Sequence, residues 1–310
     1  MNRHQTRQPA VQRTRFRSRR KRTMTNPTSV LFHKMHGAGN DFVLLDLRQQ
    51  QLQMDAALAS RLAHRRLGIG CDQLLLLHSP LHPGSAVRYE IRNTDGSAAG
   101  QCGNGARCIA LYLQMNGEAG SGRLTLESPT GLVKVDCCAD GEFQVDMGEP
   151  AFDPELIPIS MNSREGSYHL DSPAGPLQFG AASMGNPHAL LEVNDLASAA
   201  VETTGSWLGQ HEIFPQGCNI GFVQVLTRDT IRLRVYERGT GETLACGSGA
   251  CAAVAILRRA GRVDRLVNVF LPGGHLVIEW VGPGFGIRMK GPATHVFSGT
   301  VGHECKQSNT

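Results

Sequence analysis

The segment Cys102-Gly103-Asn104-Gly105-Ala106-Arg107-Cys108-Ile109-Ala110-Leu111-Tyr112-Leu113 returns, nearly copied, as Cys246-Gly247-Ser248-Gly249-Ala250-Cys251-Ala252-Ala253-Val254-Ala255-Ile256-Leu257. Each copy places a cysteine before Gly-polar-Gly and follows it with an Ala-rich apolar run at helical spacing. Each therefore predicts a thiol at the mouth of a helix. The first N–H groups of a helix lack partners and carry the positive end of its dipole, and glycine lets an anion approach them. A thiol held there is expected to have a lowered pKa and to be partly thiolate near neutral pH.

The repeat extends over most of the chain. Asn40 and Asn186 stand 146 residues apart, as do Gln73 and Asn219; Asn93 and Glu237 stand 144 apart, as do Cys102 and Cys246. A period of this length is a duplicated domain and not a solenoid repeat. The coarse element order agrees. Strands Val30 to Met35 and Phe42 to Leu47, helix Met54 to Arg66, and strands Leu74 to Leu77 and Val87 to Arg92 lead to the first cysteine. Strand Ala189 to Val193, a helix around Leu196 to Leu208, and strands Gly221 to Leu226 and Ile231 to Tyr236 lead to the second. Residues 148–176, rich in Pro, Ser and Gly, read as a passage between domains, and Leu266 to Val301 as strands joined by Gly-rich turns. Two related lobes about a pseudo-twofold axis would bring their cysteine loops face to face across a cleft.

Composition narrows the classes. Of 310 residues, 41% are hydrophobic and 19% charged, as in an ordinary soluble protein. No purely apolar run approaches the ~20 residues that cross a bilayer. Residues 1–28 hold eight arginines and Lys21 with no acidic residue, so the net charge of +4 hides a body of about −5. Such a leader is not a secretory signal; a transit peptide, a nucleic-acid-binding tail, a disordered tail or sequence upstream of an internal start at Met24 remain open. No nucleic-acid partner is expected for the folded body. Nine cysteines without a C-x-x-C spacing fit a reducing cytosol better than a disulfide framework. The Cys102/Cys108 and Cys246/Cys251 spacings do not match zinc knuckles, and no metal is expected. Cys71, Cys137, Cys138, Cys218 and Cys305 read as buried small hydrophobes or bystanders.

Two opposed acid/base groups suit a reaction in which one face of a carbon loses a proton and the other gains one, as in inversion at an amino-acid α-carbon. No pyridoxal signature stands out, so the carbanion would rest on helix N-termini aimed at the α-carboxylate.

At this level of detail the chain resembles the cofactor-independent diaminopimelate epimerases from about Leu31 to Val301. The resemblance runs through Gly39-Asn40-Asp41-Phe42, Asp72-Gln73, Asn93-Thr94-Asp95-Gly96-Ser97, the first cysteine loop, Gly185-Asn186-Pro187-His188, Asn219-Ile220, Tyr236-Glu237-Arg238-Gly239 and Ala245-Cys246-Gly247-Ser248-Gly249. It implies conversion of LL- to meso-diaminopimelate in lysine and cell-wall precursor synthesis, no cofactor, and a homodimer. The implied fold is an α/β (α+β type) pair of pseudo-symmetric lobes, each a mostly antiparallel sheet or barrel around a central helix. Residues 29–146 with 292–304 would form the lobe of Cys102, and 147–291 that of Cys246. The resemblance makes these two cysteines the acid/base thiols and His188 and Glu237 their polar partners. Gly103, Asn104, Gly247 and Ser248 would cradle the reacting carboxylate; Asn40, Gln73, Asn93, Asn186, Asn219, Glu237 and Arg238 would hold the rest of the substrate. Ser97-Ala98-Ala99-Gly100-Gln101 departs from the family in lacking acidic or apolar character. Phe297 falls where the family often has a dimer contact, and core packing accounts for it equally well. A proline racemase-like enzyme of the same fold is the alternative; phenazine-type isomerases of this fold lack the thiols, and a metal or redox sensor would need bound zinc or a disulfide.

Overall fold

The computed structural model describes residues 29–162 and 166–302; the basic leader, Cys305 and residues 303–304 of the expected first lobe lie outside the described residues. The first half runs β1 (Ser29–Gly37), β2 (Asn40–Asp46), α1 (Ala56–Ala63), β3 (Gln73–His78), β4 (Val87–Asn93), β5 (Ala98–Ala99), α2 (Gly103–Met115), β6 (Gly122–Ser128), β7 (Gly131–Cys137) and β8 (Phe143–Asp146). The second runs β9 (Ser167–Ser172), β10 (Gly175–Ser183), β11 (Pro187–Glu192), α3 (Val201–Gly209), β12 (Asn219–Thr227), β13 (Thr230–Glu237), β14 (Gly241–Thr243), α4 (Gly247–Arg259), β15 (Leu266–Leu271), β16 (Gly274–Glu279), β17 (Arg288–Gly291) and β18 (Thr294–Gly302).

The pairings make one continuous sheet with a centre. At that centre β8 pairs antiparallel with β17, Met289 opposite Val145. Outward from it, one half reads β8, β7, β6, β4, β3, β2, β1, β18. The other reads β17, β16, β15, β13, β12, β11, β10, β9. Parallel neighbours fall at the same two steps in each, β6/β4 and β3/β2 against β15/β13 and β12/β11. Two lobes with one topology follow. The symmetry is completed by a chain exchange: β9 precedes β10 in sequence, whereas the corresponding partner of β1 is β18, from the opposite end of the chain. Neither lobe closes into a barrel, because among the described residues β18 bonds only to β1 and β9 only to β10.

Each lobe wraps its sheet around one helix, which explains the composition of the repeated segment. A helix enclosed on most sides needs small or apolar residues all round and not on one stripe. In α4 only Ser248, Ile256, Arg258 and Arg259 escape full burial, and α2 is buried from Gly103 through Ala110. Both helices share one core with the inner faces of the sheets. Smaller clusters lie on the outer faces, against α3 and α1. Phe297 is not in a core: it is 47% exposed on edge strand β18, meeting Phe32 edge to face.

Helix ends differ from the sequence reading for local reasons. The first helix spans Ala56–Ala63 and not 54–66, because Asp55 caps it through Leu58 N and the Leu62 carbonyl is taken by the Ile69 and Gly70 amides. The third begins at Val201 because Asp195 first forms a local turn, accepting from Ala197 N and Ser198 Oγ. Within the presumed passage 148–176, β9 forms a strand against β10.

The lobes interlock on one side. The β1–β2 hairpin turns in two residues, Ala38 (φ 53°) and Gly39 (φ 89°), as a tight hairpin loop with both in the left-handed region requires. Its backbone rests on Gly273, where an added Cβ would fall 2.2 Å from the Ala38 carbonyl oxygen and 2.9 Å from Leu244 Cβ. A Cβ added at Gly185, in the turn at the corresponding place in the second lobe, would meet nothing within 4 Å. Gly273→Ala should therefore lower Tm by several degrees, about 3–10 °C for 1–3 kcal/mol of overpacking, while Gly120→Ala, in open space, should leave it unchanged; a thermal melt compares the two.

Candidate active site

The first lobe delivers three amides from adjacent strands. The tight hairpin places Asn40 at the start of β2, the parallel β2–β3 pairing sets Gln73 beside Phe42, and β4 sets Asn93 opposite Gln73. Gln73 Nε2 donates to Asn93 Oδ1 (2.9 Å) and Asn93 Nδ2 to Ser97 Oγ (3.0 Å). Asn40 Nδ2 donates to Asp72 Oδ2 (2.9 Å), and Asp72 and Asp41 are tied together by Arg65, with Lys34 also on Asp41. Burial would raise the Asp41 carboxyl, but hydrogen bonds from Arg65 and Lys34 and their charge hold it down at about 2.

The second lobe repeats the arrangement with other chemistry. Register sets His188 beside Asn219. His188 Nε2 lies 3.1 Å from both Asn186 Oδ1 and Ser248 Oγ. Asn219 is spent on backbone, donating to Pro187 O (3.2 Å) and accepting from Arg238 N (2.9 Å). The Arg238 guanidinium donates to Gln216 O (2.5 Å), and Thr243 Oγ1 donates to Glu237 Oε1 (2.5 Å).

Between these half-sites the two central helices begin. Cys102 and Cys246 are their N-caps, both in extended conformation, and the first intrahelical bonds run from Ala106 N to Cys102 O and from Ala250 N to Cys246 O. The N–H groups ahead of those bonds have no partner within the helix. An added Cβ on Gly103 would fall 2.3 Å from Met289 Cε and 2.6 Å from Met147 Sδ. One on Gly247 would fall 3.0 Å from Met289 Sδ and 3.1 Å from Asn104 Oδ1. The two helix mouths thus abut over a methionine floor, and a side chain at either glycine would have to push those methionines aside. Asn104 Nδ2 crosses the boundary to Ala245 O (3.5 Å).

The thiols differ from each other and from expectation. Cys102 is half-buried, its Sγ 3.8 Å from Asn40 Oδ1; Cys246 is buried, accepting from Gly249 N (3.4 Å) with Ser248 Oγ at 3.6 Å. A lowered pKa was the expectation from the helix ends. Instead burial pushes Cys102 up to about 11, outweighing the Gly105 and Asn104 amides and the charge of Arg107, while Glu237 adds to the rise. Cys246 is raised well above its usual range, by burial and then by Glu237 beside it. Glu237 is itself raised by burial, against hydrogen bonds from Thr243 and Cys246. Burial, then Arg238, pushes His188 down to about 3, so it is a neutral imidazole that reaches Cys246 by way of Ser248.

Asp72, Thr243, Met147 and Met289 belong to this constellation and were missed as site residues. Asp72 had a signal, standing beside Gln73; Thr243 had none, since it meets Glu237 only through the β13–β14 pairing.

Two lobes, each a sheet around a helix whose N-terminus meets its counterpart, define a known class of fold. The structure is similar to a hydroxyproline epimerase from Agrobacterium vitis (TM-score 0.65, 15% identity, 89% of this chain and 93% of that one). It is also similar to a phenazine biosynthesis protein of the PhzF family from Bacillus anthracis (TM-score 0.62, 15% identity, 88% and 99%). At such identities the likeness is one of fold alone. Sequence carries the next step. The family model for diaminopimelate epimerase matches residues 32–152 and 180–296. Diaminopimelate epimerases of Xanthomonas axonopodis pv. citri (270 residues) and Xylella fastidiosa (269 residues) are each 50% identical over 86% of this chain and 95% of their own length. The chain belongs to the diaminopimelate epimerase family.

A histidine buried neutral makes stability pH-dependent with a definite sign. The unfolded chain protonates His188 near pH 6.5 and the folded one only near 3, so its contribution is lost progressively as pH falls between those values. In His188→Gln the fall of Tm from pH 6.5 to 4 should be shallower than in the parent, measured by thermal melts across that range.

Proposed function

We propose that this chain interconverts LL- and meso-diaminopimelate without a cofactor, with Cys102 and Cys246 as the paired acid and base. The observation that carries this reading is the abutment of two helix N-termini, each capped by a cysteine, across the lobe boundary. One thiol, as thiolate, takes the α-proton; the other, as thiol, returns a proton to the opposite face, and the roles exchange with direction. Amides of Gly103, Asn104, Gly247 and Ser248, ahead of the first helical bonds, bind the α-carboxylate and stabilise the second negative charge it gains as the proton leaves. Donors of this kind are each worth about 10²–10³ in rate.

Asn40, Gln73, Asn93, Asn186, Glu237 and Arg238 would hold the rest of the substrate, Arg238 as partner of the distal carboxylate. Asn219 would act by fixing the Arg238 backbone. Because both thiols lie above their usual range, thiolate is scarce in the free enzyme, and kcat/KM should rise with pH between 6 and 9.

The two units would be 29–146 with 292–304, and 147–291. No helix among the described residues is long and apolar enough to cross a membrane, and a cytoplasmic enzyme of lysine and cell-wall precursor synthesis is the setting we infer. The exposed Leu31, Val296 and Phe297 on β1 and β18, at a sheet edge with one side unpaired, support a homodimer.

Incubation with LL-diaminopimelate in deuterated water should place solvent deuterium at one α-carbon with no added cofactor. Absence of incorporation, or racemisation of proline instead, would overturn the substrate. Cys102→Ala and Cys246→Ala should each abolish net inversion, by at least about 10³-fold, with unchanged melting. Light scattering of parent and Phe297→Asp tests the dimer, the variant being expected as a monomer.

A further inference from the structure

Arg107 has no place in the chemistry above, yet it is the one fully buried arginine among the described residues. Its guanidinium sits between two glycines: an added Cβ would fall 3.1 Å from Nη2 at Gly37 and 3.6 Å from Cζ at Gly291. Nε donates to Pro292 O (3.2 Å), where the chain crosses from β17 to β18, and Nη2 donates to Asn104 Oδ1 (2.9 Å). Nη1 has no partner, and no carboxylate of the described residues pairs with Arg107. A buried charge without a counter-ion is costly, and the two backbone and amide contacts do not by themselves justify it.

What it does do is fix polarity. An amide can present either end, but Arg107 can only donate and an ion-paired carboxylate can only accept. With Arg107 on Asn104 Oδ1, Asn104 Nδ2 must face Asn40 Oδ1 (3.1 Å); with that oxygen occupied, Asn40 Nδ2 must face Asp72 Oδ2 (2.9 Å). The run Arg107, Asn104, Asn40, Asp72 therefore has one direction, and it sets Asn40 Oδ1 against Cys102 Sγ. In the second lobe the corresponding positions are Cys251, Ser248, Asn186 and Cys218, with His188 between Ser248 and Asn186, and neither end is charged. The two half-sites are alike in topology and unlike in this respect.

We propose that Arg107 is a positioning residue for the Cys102 half of the site, orienting Asn104 and Asn40 through a one-way hydrogen-bond relay and tying that orientation to the strand crossing at Pro292. The charged and titratable groups that face Cys102 are Arg107 and Cys108 on α2, Glu237 on β13 and Tyr89 on β4. Of these, Arg107 alone favours the thiolate. No counterpart acts on Cys246 from position 251.

The assignment of catalytic roles rests on the epimerase reading, but the relay is testable without it. Arg107→Met and Arg107→Lys are compared with the parent by melting, by kcat and KM on diaminopimelate, and by site-resolved iodoacetamide alkylation at pH 8 followed by mass spectrometry. Because an unpaired buried charge is removed, Arg107→Met should keep Tm within about 3 °C of the parent or raise it. In both variants kcat should fall at least tenfold with KM within threefold, since lysine cannot hold Pro292 O and Asn104 Oδ1 together. Alkylation of Cys102 should slow at least threefold in Arg107→Met, and that of Cys246 should stay within twofold in both. Unchanged kcat and Cys102 reactivity, or equal change at both cysteines, overturns the relay. A parent inactive on diaminopimelate that still shows the Cys102-specific change sinks the substrate and keeps the relay. If Arg107→Met does not fold, Arg107→Lys decides by its kcat alone: parental turnover overturns the relay.

Discussion

Two helix N-termini that abut are electrostatically unfavourable, each carrying roughly half a positive charge, and the rest of this structure is what holds them together. Gly103 and Gly247 allow the contact and Met289 and Met147 seal it, while sheets on both sides bury the helices so that neither can slide away. Burial removes the water that would screen the field, and the same burial lifts both thiols above their usual range. An anion placed between the helices relieves the repulsion. The meeting of the two helix ends is thus complementary to negative charge.

The sheet is symmetric and the chemistry on it is not. Pairings and parallel steps match from centre to edge, so the backbone offers equivalent positions on either side of the lobe boundary. At those positions Phe42 answers to His188, Asp72 to Cys218, Asn104 to Ser248 and Arg107 to Cys251. The run in one lobe is terminated by charges and directed; the matching run in the other ends on uncharged groups and passes through a neutral imidazole.

The same asymmetry appears in packing. Ala38 and Gly39 lock onto Gly273 on one side of the boundary, whereas on the other a Cβ added at Gly185 would meet only open space. Strain in the left-handed turn is held by that contact, and the turn in turn places Asn40. Packing, hairpin geometry and amide orientation form one connected unit at the first half-site.

The duplication and the helix beginning at each cysteine were legible in the chain itself, because turn glycines, helical spacing and a 144- to 146-residue period are local or additive signals. Some boundaries shifted by a few residues where Asp55 or Asp195 chose a different start, which is a contest between neighbouring hydrogen bonds and still local. The exchange of β18 into the first lobe, the open sheet edges, the burial that reverses the expected thiol shift, the Thr243 contact to Glu237 and the directed run from Arg107 to Asp72 were decided only by tertiary structure. Each depends on which groups from distant parts of the chain exclude water from one another. Desolvation and the polarity of an amide chain are properties of an enclosure, and an enclosure has no address in a sequence.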